Sequence, residues 1–342
     1  MFLYLGNKLQ ILQKQAIKTV NNKEQRVTEN DVISTILEIG KSDVETGYTI
    51  IDIIPDIFEL DSGEMVKEPI GKKSSKITLY AQAIIAKKLY ISELKNVFEK
   101  AGLSIDGYSP KILAEKDFYC EEREKKEDLL IMDMGYRKTD VGLFIKGTFI
   151  YADTFDIGGN DITTDIEYIF NIGYSEAEKL KTSYNVALKE YVKNDNNISL
   201  STVVTADPNK RIIKPSDISG VIQGRLTDTI EKIFIKLREI GLDRYIKKII
   251  IVGQTLEKID KTDVLISNIT GIDVRKATIK NIIKLDENYK DAYSIIKYFA
   301  SKPFAKSIAS NVGAEEEKSA LKRIMNKIKE FLEIKMTNNK YL

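Results

Sequence analysis

The chain has 342 residues, 43% hydrophobic and 30% charged, a length and balance that allow a large buried core and two or more lobes. Its 53 basic and 51 acidic side chains nearly cancel, so no global charge points to a nucleic acid, and any basic function must come from local clustering. With no histidine and a single cysteine, Cys120, Ser-His-Asp and Cys-His catalysis, the usual zinc and iron sites and an intrachain disulfide are excluded, and the lone thiol suits a reducing compartment.

The opening segment, residues 1–10, lacks the apolar core and small-residue cleavage site of a signal peptide. No stretch reaches the ~20 apolar residues of a membrane-spanning helix, so any membrane contact is expected along a surface. Leu9 to Val20 reads as a strand. Thr28 opens a helix, with Asp31 completing a short capping box; Val32, Ile33, Ile36 and Leu37 form its apolar face and Gly40 ends it. Strands over Tyr48 to Leu60 and Ile77 to Ile85 flank a polar loop, and residues 1–87 form a small α/β unit.

Tyr90 to Lys100 is helical and stops at Gly102, and the charge run from Glu121 to Asp128 reads as a solvated loop or helix end. Three strands then follow in quick succession, Leu129 to Met134, Thr139 to Ile145 and Thr148 to Phe155, with a tight turn at Lys146-Gly147. Helices are expected over Asp161 to Phe170 and Ser175 to Tyr184, and residues 194–215 are either a loop or an edge hairpin. Ser216 caps the longest helix, which runs to Ile240 and stops at Gly241. Ile218, Val221, Ile222, Ile230, Ile233, Phe234 and Leu237 line one face, and Gly220 and Gly224 read as allowing close helix packing. Ile249 to Val252 has the continuous apolar character of a buried parallel strand, entering a loop at Gly253. Strands followed by helices, twice over, indicate a two-lobed α/β protein.

The segment IMDMGYRKTDVGLF, residues 131–144, has the layout of a phosphate-binding hairpin: an aspartate to face a metal, then small residues that let backbone N–H groups approach phosphate oxygens. Asp133, Gly135, Thr139 and Asp140 fit it. The stretches from Phe155 to Asp165, with Gly158-Gly159, and from Ser175 to Lys181, with Glu178 and Lys181, then occur in the order and spacing of the actin-like ATPases. Within that superfamily the chain resembles the FtsA family, actin-like cell-division proteins. The resemblance is strongest from Ile54-Pro55 through Leu60-Asp61 to Glu68-Pro69-Ile70-Gly71, a signature of the family's extra subdomain.

The resemblance implies an actin-like (ribonuclease H-like) α/β fold with two lobes around a nucleotide cleft and an FtsA-type extra α/β subdomain. It divides the chain into the extra subdomain (1–87), the remainder of the first lobe (88–155 with 285–306), the second lobe (156–284), and a linker with a C-terminal amphipathic membrane helix (307–342). It implies ATP with magnesium as ligand, near Asp133, Gly135, Thr139, Asp140, Gly158, Gly159, Glu178, Lys181 and Gly253. The partners implied are the C-terminal peptide of an FtsZ-type protein, an anionic lipid membrane and further copies of the chain. The place implied is the cytoplasmic face of the bacterial cell membrane, at the division site. Arg225 stands where the family carries an arginine facing FtsZ; from the residues alone it reads equally as an ordinary salt bridge. The Glu178/Lys181 pair is likewise either a nucleotide contact or a solvated helix pair.

Three departures qualify this. The family's first phosphate loop, of the form Asp-x-Gly-Ser/Thr, has no equivalent in residues 1–28, which predicts an incomplete first lobe. The hairpin's Gly-Gly-Thr is Tyr136-Arg137-Lys138, whose side chains cannot copy the close backbone approach of glycine. The family's double glycine in the adenosine loop is Gly253-Gln254. The expectation is therefore a scaffold with no catalytic residue and impaired or absent hydrolysis. The alternatives are a working ATPase completed by a separate N-terminal fragment, or a pilus-assembly (PilM-like) peptide-binding protein.

In the tail, Leu321, Ile324, Met325, Ile328, Phe331 and Leu332 recur at three- and four-residue steps, flanked by Lys322, Arg323, Lys327 and Lys329, after a small, acidic linker over 307–318. A basic amphipathic helix is suited to the headgroup boundary of anionic lipid.

Overall fold

The computed structural model describes residues 2–5, 9–105, 107–200, 212–277 and 289–301. In chain order the elements are β1 (Phe2–Leu5), β2 (Gln10–Thr19), α1 (Glu29–Gly40), β3 (Tyr48–Leu60), β4 (Met65–Val66), β5 (Lys76–Lys87), α2 (Lys88–Lys100), β6 (Gly107–Pro110) and α3 (Lys111–Tyr119). There follow β7 (Leu129–Met134), β8 (Thr139–Ile145), β9 (Thr148–Phe155), α4 (Gly159–Phe170), α5 (Tyr174–Ser183), β10 (Ile198–Ser199), β11 (Ile212–Ile213) and α6 (Pro215–Glu239). Last come β12 (Lys248–Val252), α7 (Gln254–Lys258), α8 (Thr262–Thr270), β13 (Asp273–Lys276) and α9 (Lys290–Ser301). The C-terminal helix expected to carry Leu321 to Leu332 lies outside the described residues.

The first unit is an antiparallel sheet ordered β2-β5-β3-β4. Its central strand β5 is apolar on both faces: Ile77, Leu79, Ala81 and Ala83 meet α1, while Ile84 and Ala86 join the core beyond. Helix α1 starts as its residues dictate, the Asp31 N–H donating to Thr28 Oγ1 (3.2 Å) and the Thr28 N–H to Asp31 Oδ2 (2.9 Å). Its Val32, Ile36 and Ile39 then close the core. Pro55 is tolerated inside β3 because β4 covers only Phe58 and Glu59, leaving β3 an edge strand at the proline. The signature residues knit this unit's loops: the Ser75 N–H and hydroxyl donate to Asp61 Oδ2 (both 2.6 Å), and the Gly71 N–H to the Val27 carbonyl (2.8 Å).

The second sheet runs β13-β12-β7-β8-β9, parallel across β13, β12 and β7 and antiparallel through β8 and β9. Every residue of β7 is buried, because helices cover both faces. Leu129 and Ile131 pack with Ile250, Val252, Phe144 and Phe149 under α3 and α9; Leu130 and Met132 pack with Ile249 and Ile251 under α4 to α8. Helix α6 contributes Ile218, Ile222, Leu226, Ile230, Ile233 and Leu237 to the second layer. The β8–β9 turn has positive φ at both Lys146 (49°) and Gly147 (81°), the primed geometry whose twist matches a hairpin. β1 pairs in parallel with β6. The Tyr298 hydroxyl donates to the buried Asp52 (2.9 Å), tying α9 to β3, and Gln82 donates to the Phe149 carbonyl, tying β5 to β9.

Several expectations shift. The division at 155 falls inside a sheet: β7, β8 and β9 need only short turns to pair, and the crossover through α4 to α6 returns β12 beside β7. Helix α6 begins at Pro215, where the Asp217 carboxylate takes the Lys214 N–H (2.8 Å); Ser216, the expected cap, instead donates its N–H and hydroxyl to Asp195. A Cβ on Gly220 or Gly224 would meet nothing within 4 Å, so neither allows a close helix approach. Residues 194–215 include the antiparallel pair β10–β11, the hairpin alternative.

The charge run is not wholly solvated. Glu124 is 6% exposed and takes a bidentate grip from Arg275 (2.8 and 2.5 Å) and an ammonium from Lys248 (2.9 Å), which ties the segment before β7 to β12 and β13. Burial alone would raise its pKa; the bonds from Arg275, the Glu121 backbone and Lys248 outweigh that and bring it to about 2. Glu124→Gln is expected to cost about 2–4 kcal/mol in urea unfolding at neutral pH, because it leaves a cation buried without its partner. The folded-state pKa lies below the ordinary 4.5, so this stability is present above about pH 4.5 and is lost as pH falls towards 2. The gap between variant and parent should therefore shrink in acid.

Candidate functional site

Strands β7 and β12 lie side by side and parallel, with Asp133 opposite Val252, so their carboxyl ends open onto one crevice. A cavity of about 610 Å³ occupies it, a size in the range of small-molecule sites. Asp133 sits on its floor, 2% exposed. Its Oδ2 accepts from Lys111 Nζ at 2.6 Å, while its Oδ1 is buried without a hydrogen-bond partner. Gly253, which follows β12, has φ of +91°, and a Cβ there would stand 2.2 Å from Asp133 Oδ1 and 2.6 Å from the Met134 carbonyl oxygen. Only glycine lets the two strand ends come so close.

Lys111 also lies 3.2 Å from Asp291 and 3.5 Å from Glu115, whose side chain is fully buried with neither oxygen accepting a hydrogen bond. Burial opposes the charge on Lys111, but Glu115, Asp133 and Asp291 outweigh it and raise its pKa. Burial, reinforced by the charge of Asp133, pushes the Glu115 carboxyl well above the usual carboxylate range.

The hairpin loop closes on itself, the Gly135 N–H donating to the Lys138 carbonyl (2.8 Å), and α4 is pressed flat against it. A Cβ on Gly158 would lie 2.6 to 2.7 Å from hairpin backbone atoms of Tyr136, Arg137 and Lys138. The Gly159 N–H donates to the Gly135 carbonyl (3.0 Å) and the Asn160 N–H to the Tyr136 carbonyl (2.7 Å). These are the donors with which a helix start would hold a phosphate, and here they are spent on the hairpin. The Tyr136 and Tyr174 hydroxyls meet at 2.5 Å, and Tyr174 also donates to Asn160 Oδ1 (2.9 Å), fastening the loop to α4 and α5.

Of the residues singled out in the sequence, Asp133, Gly135, Glu178, Lys181 and Gly253 line the cavity; Gly158, Gly159, Thr139 and Asp140 do not. Thr139 is buried and donates to the Ile157 carbonyl (2.7 Å). Asp140 accepts from Thr154 (2.5 Å), and burial raises its pKa to about 6 against that bond. Glu178 and Lys181 are not a solvated pair. Lys181 is 8% exposed and donates to the Gly159 carbonyl (2.9 Å), Thr163 Oγ1 (2.6 Å) and Glu178 (2.8 Å), locking α5 onto the start of α4.

The sequence reading missed Lys111, Glu115, Glu257, Lys290 and Asp291. The Lys111–Glu115 spacing directly after Pro110, a helix-start pattern, was a usable signal; Asp291 had none, because it arrives from α9. The cavity lining carries four lysines (Lys111, Lys181, Lys258, Lys290) and four carboxylates (Asp133, Glu178, Glu257, Asp291), so it offers no excess positive charge to a polyphosphate.

The residues present do not fit ATP with magnesium. Lys111 stands on the aspartate that would face the metal, the α4 donors are spent, and no group of three metal-ligating side chains suited to an ion occurs among the described residues. A separate groove of about 840 Å³ lies between α4 and α6. There Arg225 makes a bidentate pair with Asp165 (2.6 and 2.7 Å), beside Gly220 and Gly224.

A family model described as Cell division protein FtsA matches residues 130–336, and one described as SHS2 domain inserted in FTSA matches residues 6–85. The Cell division protein FtsA of Escherichia coli (strain K12) is 22% identical over 277 residues, covering 79% of this chain and 66% of that protein. Its namesake in Buchnera aphidicola subsp. Baizongia pistaciae is 24% identical over 237 residues, covering 69% and 53%. The chain thus spans between about half and two thirds of the length of these curated relatives. Among solved structures, MreB5 of Spiroplasma citri bound to ADP superposes with a TM-score of 0.52 at 20% identity, over 67% of this chain and 68% of that one, which shows an actin-like fold.

Gly158→Ala is expected to lower the unfolding free energy by about 1–3 kcal/mol, because the added methyl must push the hairpin off α4. Gly173→Ala, where a Cβ meets nothing within 4 Å, serves as the matched control and should change little in the same urea titration.

Proposed function

We propose that this chain, which belongs to the FtsA family of cell division proteins, works as a non-hydrolysing scaffold that holds an FtsZ-type filament at the inner face of a bacterial membrane. Family membership supplies the division role. The observation that carries the non-hydrolysing part is the hairpin seated on α4, with the Gly159 and Asn160 N–H groups bonded to the Gly135 and Tyr136 carbonyls. A phosphate that entered would have to compete with these intramolecular bonds, and it would meet a lining whose charges already balance.

Attachment to lipid is assigned to the tail. The apolar stripe from Leu321 to Leu332 with Lys322, Arg323, Lys327 and Lys329 has the composition of a surface-lying helix. Among the described residues no helix is long and apolar enough to cross a membrane. Six apolar and four basic side chains make a reversible anchor, which self-association into filaments would strengthen. The α4–α6 groove is the candidate for an acidic FtsZ-type peptide: Arg225 is only partly buried, and a peptide carboxylate could exchange with Asp165 for its fork.

The size of the cleft favours one rival, a working ATPase whose missing phosphate loop comes from a segment outside this chain. Phosphate release separates the two. The purified chain with ATP and magnesium should release none above background, and turnover that disappears in Asp133→Asn would establish the rival. For the tail, we expect the whole chain to co-sediment with anionic liposomes and a chain ending at residue 318 to remain in the supernatant. Equal pelleting of the two would remove the membrane anchor from this reading.

A further inference from the structure

Lys111 is the first residue of α3, where the helix dipole disfavours a cation. Its place is explained by what surrounds it. The ammonium lies 2.6 Å from Asp133 Oδ2, 3.2 Å from Asp291 Oδ2 and 3.5 Å from Glu115 Oε1. Glu115 belongs to α3 itself, Asp133 comes from β7 shortly after it, and Asp291 arrives from α9, far along the chain. A structural ion pair needs two groups; this one gathers four. It also leaves buried acceptors over: Asp133 Oδ1 and both Glu115 oxygens have no hydrogen-bond partner, with Asp133 and Glu115 at 2% and 0% exposure. Buried carboxylates gathered around one centre need a cation there, and here that cation is an ammonium.

We infer that the Lys111 ammonium is a tethered cation that compensates Asp133, Glu115 and Asp291 in place of a divalent metal, so that the floor of the cleft is built to work without metal. The inference deepens the proposed function by giving a chemical reason for lost phosphate chemistry, but it is independent of membrane and filament binding. The side chain supplies one positive charge at a fixed place. It carries no exchangeable water, so nothing there can be activated as a metal-bound nucleophile. It cannot be removed by chelators, and it keeps Asp133 compensated whether or not a ligand is present.

Binding of Mn²⁺ alone, followed by its electron paramagnetic resonance signal without nucleotide, tests this apart from any hydrolysis assay. The whole wild-type chain should show no Asp133-dependent uptake. Lys111→Met leaves the carboxylates without a counter-charge. It should lower the melting temperature in metal-free buffer, bind Mn²⁺ roughly tenfold or more tightly than the parent, and regain melting temperature as Mn²⁺ is added. Stoichiometric Mn²⁺ uptake by the wild type that Asp133→Asn abolishes would overturn the inference, as would a folded Lys111→Met that neither loses stability nor gains metal. Should Lys111→Met fail to fold, adding Asp133→Asn must restore folding by removing the stranded charge. A double variant that stays unfolded counts against the proposal.

Discussion

The site depends on one close approach, that of Gly253 to Asp133 at the ends of two neighbouring parallel strands. With room for no Cβ between them, β7 and β12 release their chains at the same level. The loop after β7 then meets α4, and the residues after β12 form α7, whose Thr255 donates to the Gly135 carbonyl (3.0 Å). One backbone contact thus sets the hairpin, two helix starts and the cavity they enclose. It is a constraint of volume rather than of charge, and it requires glycine at 253 whatever residue follows.

Around that fixed backbone the electrostatics differ from what a phosphate pocket needs. The hairpin places tyrosine, arginine and lysine at positions 136 to 138, but its carbonyls, not its side chains, determine the outcome. They take the α4 donors that an anion would otherwise use, and the paired tyrosines hold them there. On the floor, a lysine compensates carboxylates that are too buried to be left alone. In each case the donor or charge is satisfied by a group inside the protein, within an actin-like fold.

The fold was legible where the signal was local. The Thr28–Asp31 box, the Lys146-Gly147 turn, the apolar runs of β7 and β12 and the stripe on α6 each follow from spacing within one element. Helix α3 escaped because it has no stripe: Ile112, Leu113, Ala114, Glu115, Phe118 and Tyr119 are all buried, so polar and apolar positions do not alternate with a helical period. Glu124 was misjudged for a related reason. A run of charges is usually solvated, and nothing local says that Arg275, from the far edge of the sheet, will reach it.

By itself the sequence determined the class of fold, the strand and helix that carry the candidate cleft, and the likeness to a family, because these rest on periodicities and ordered motifs that survive without coordinates. Only the tertiary structure decided which of the marked residues share a space. Glu178 and Lys181 became a lock between helices, Gly158 and Gly159 a docking surface for the hairpin, and Lys111 with Asp291 the floor of the cavity. The reason is physical. A hydrogen bond or ion pair depends on distance in space, and the groups that consumed each donor and charge came from elements far apart along the chain.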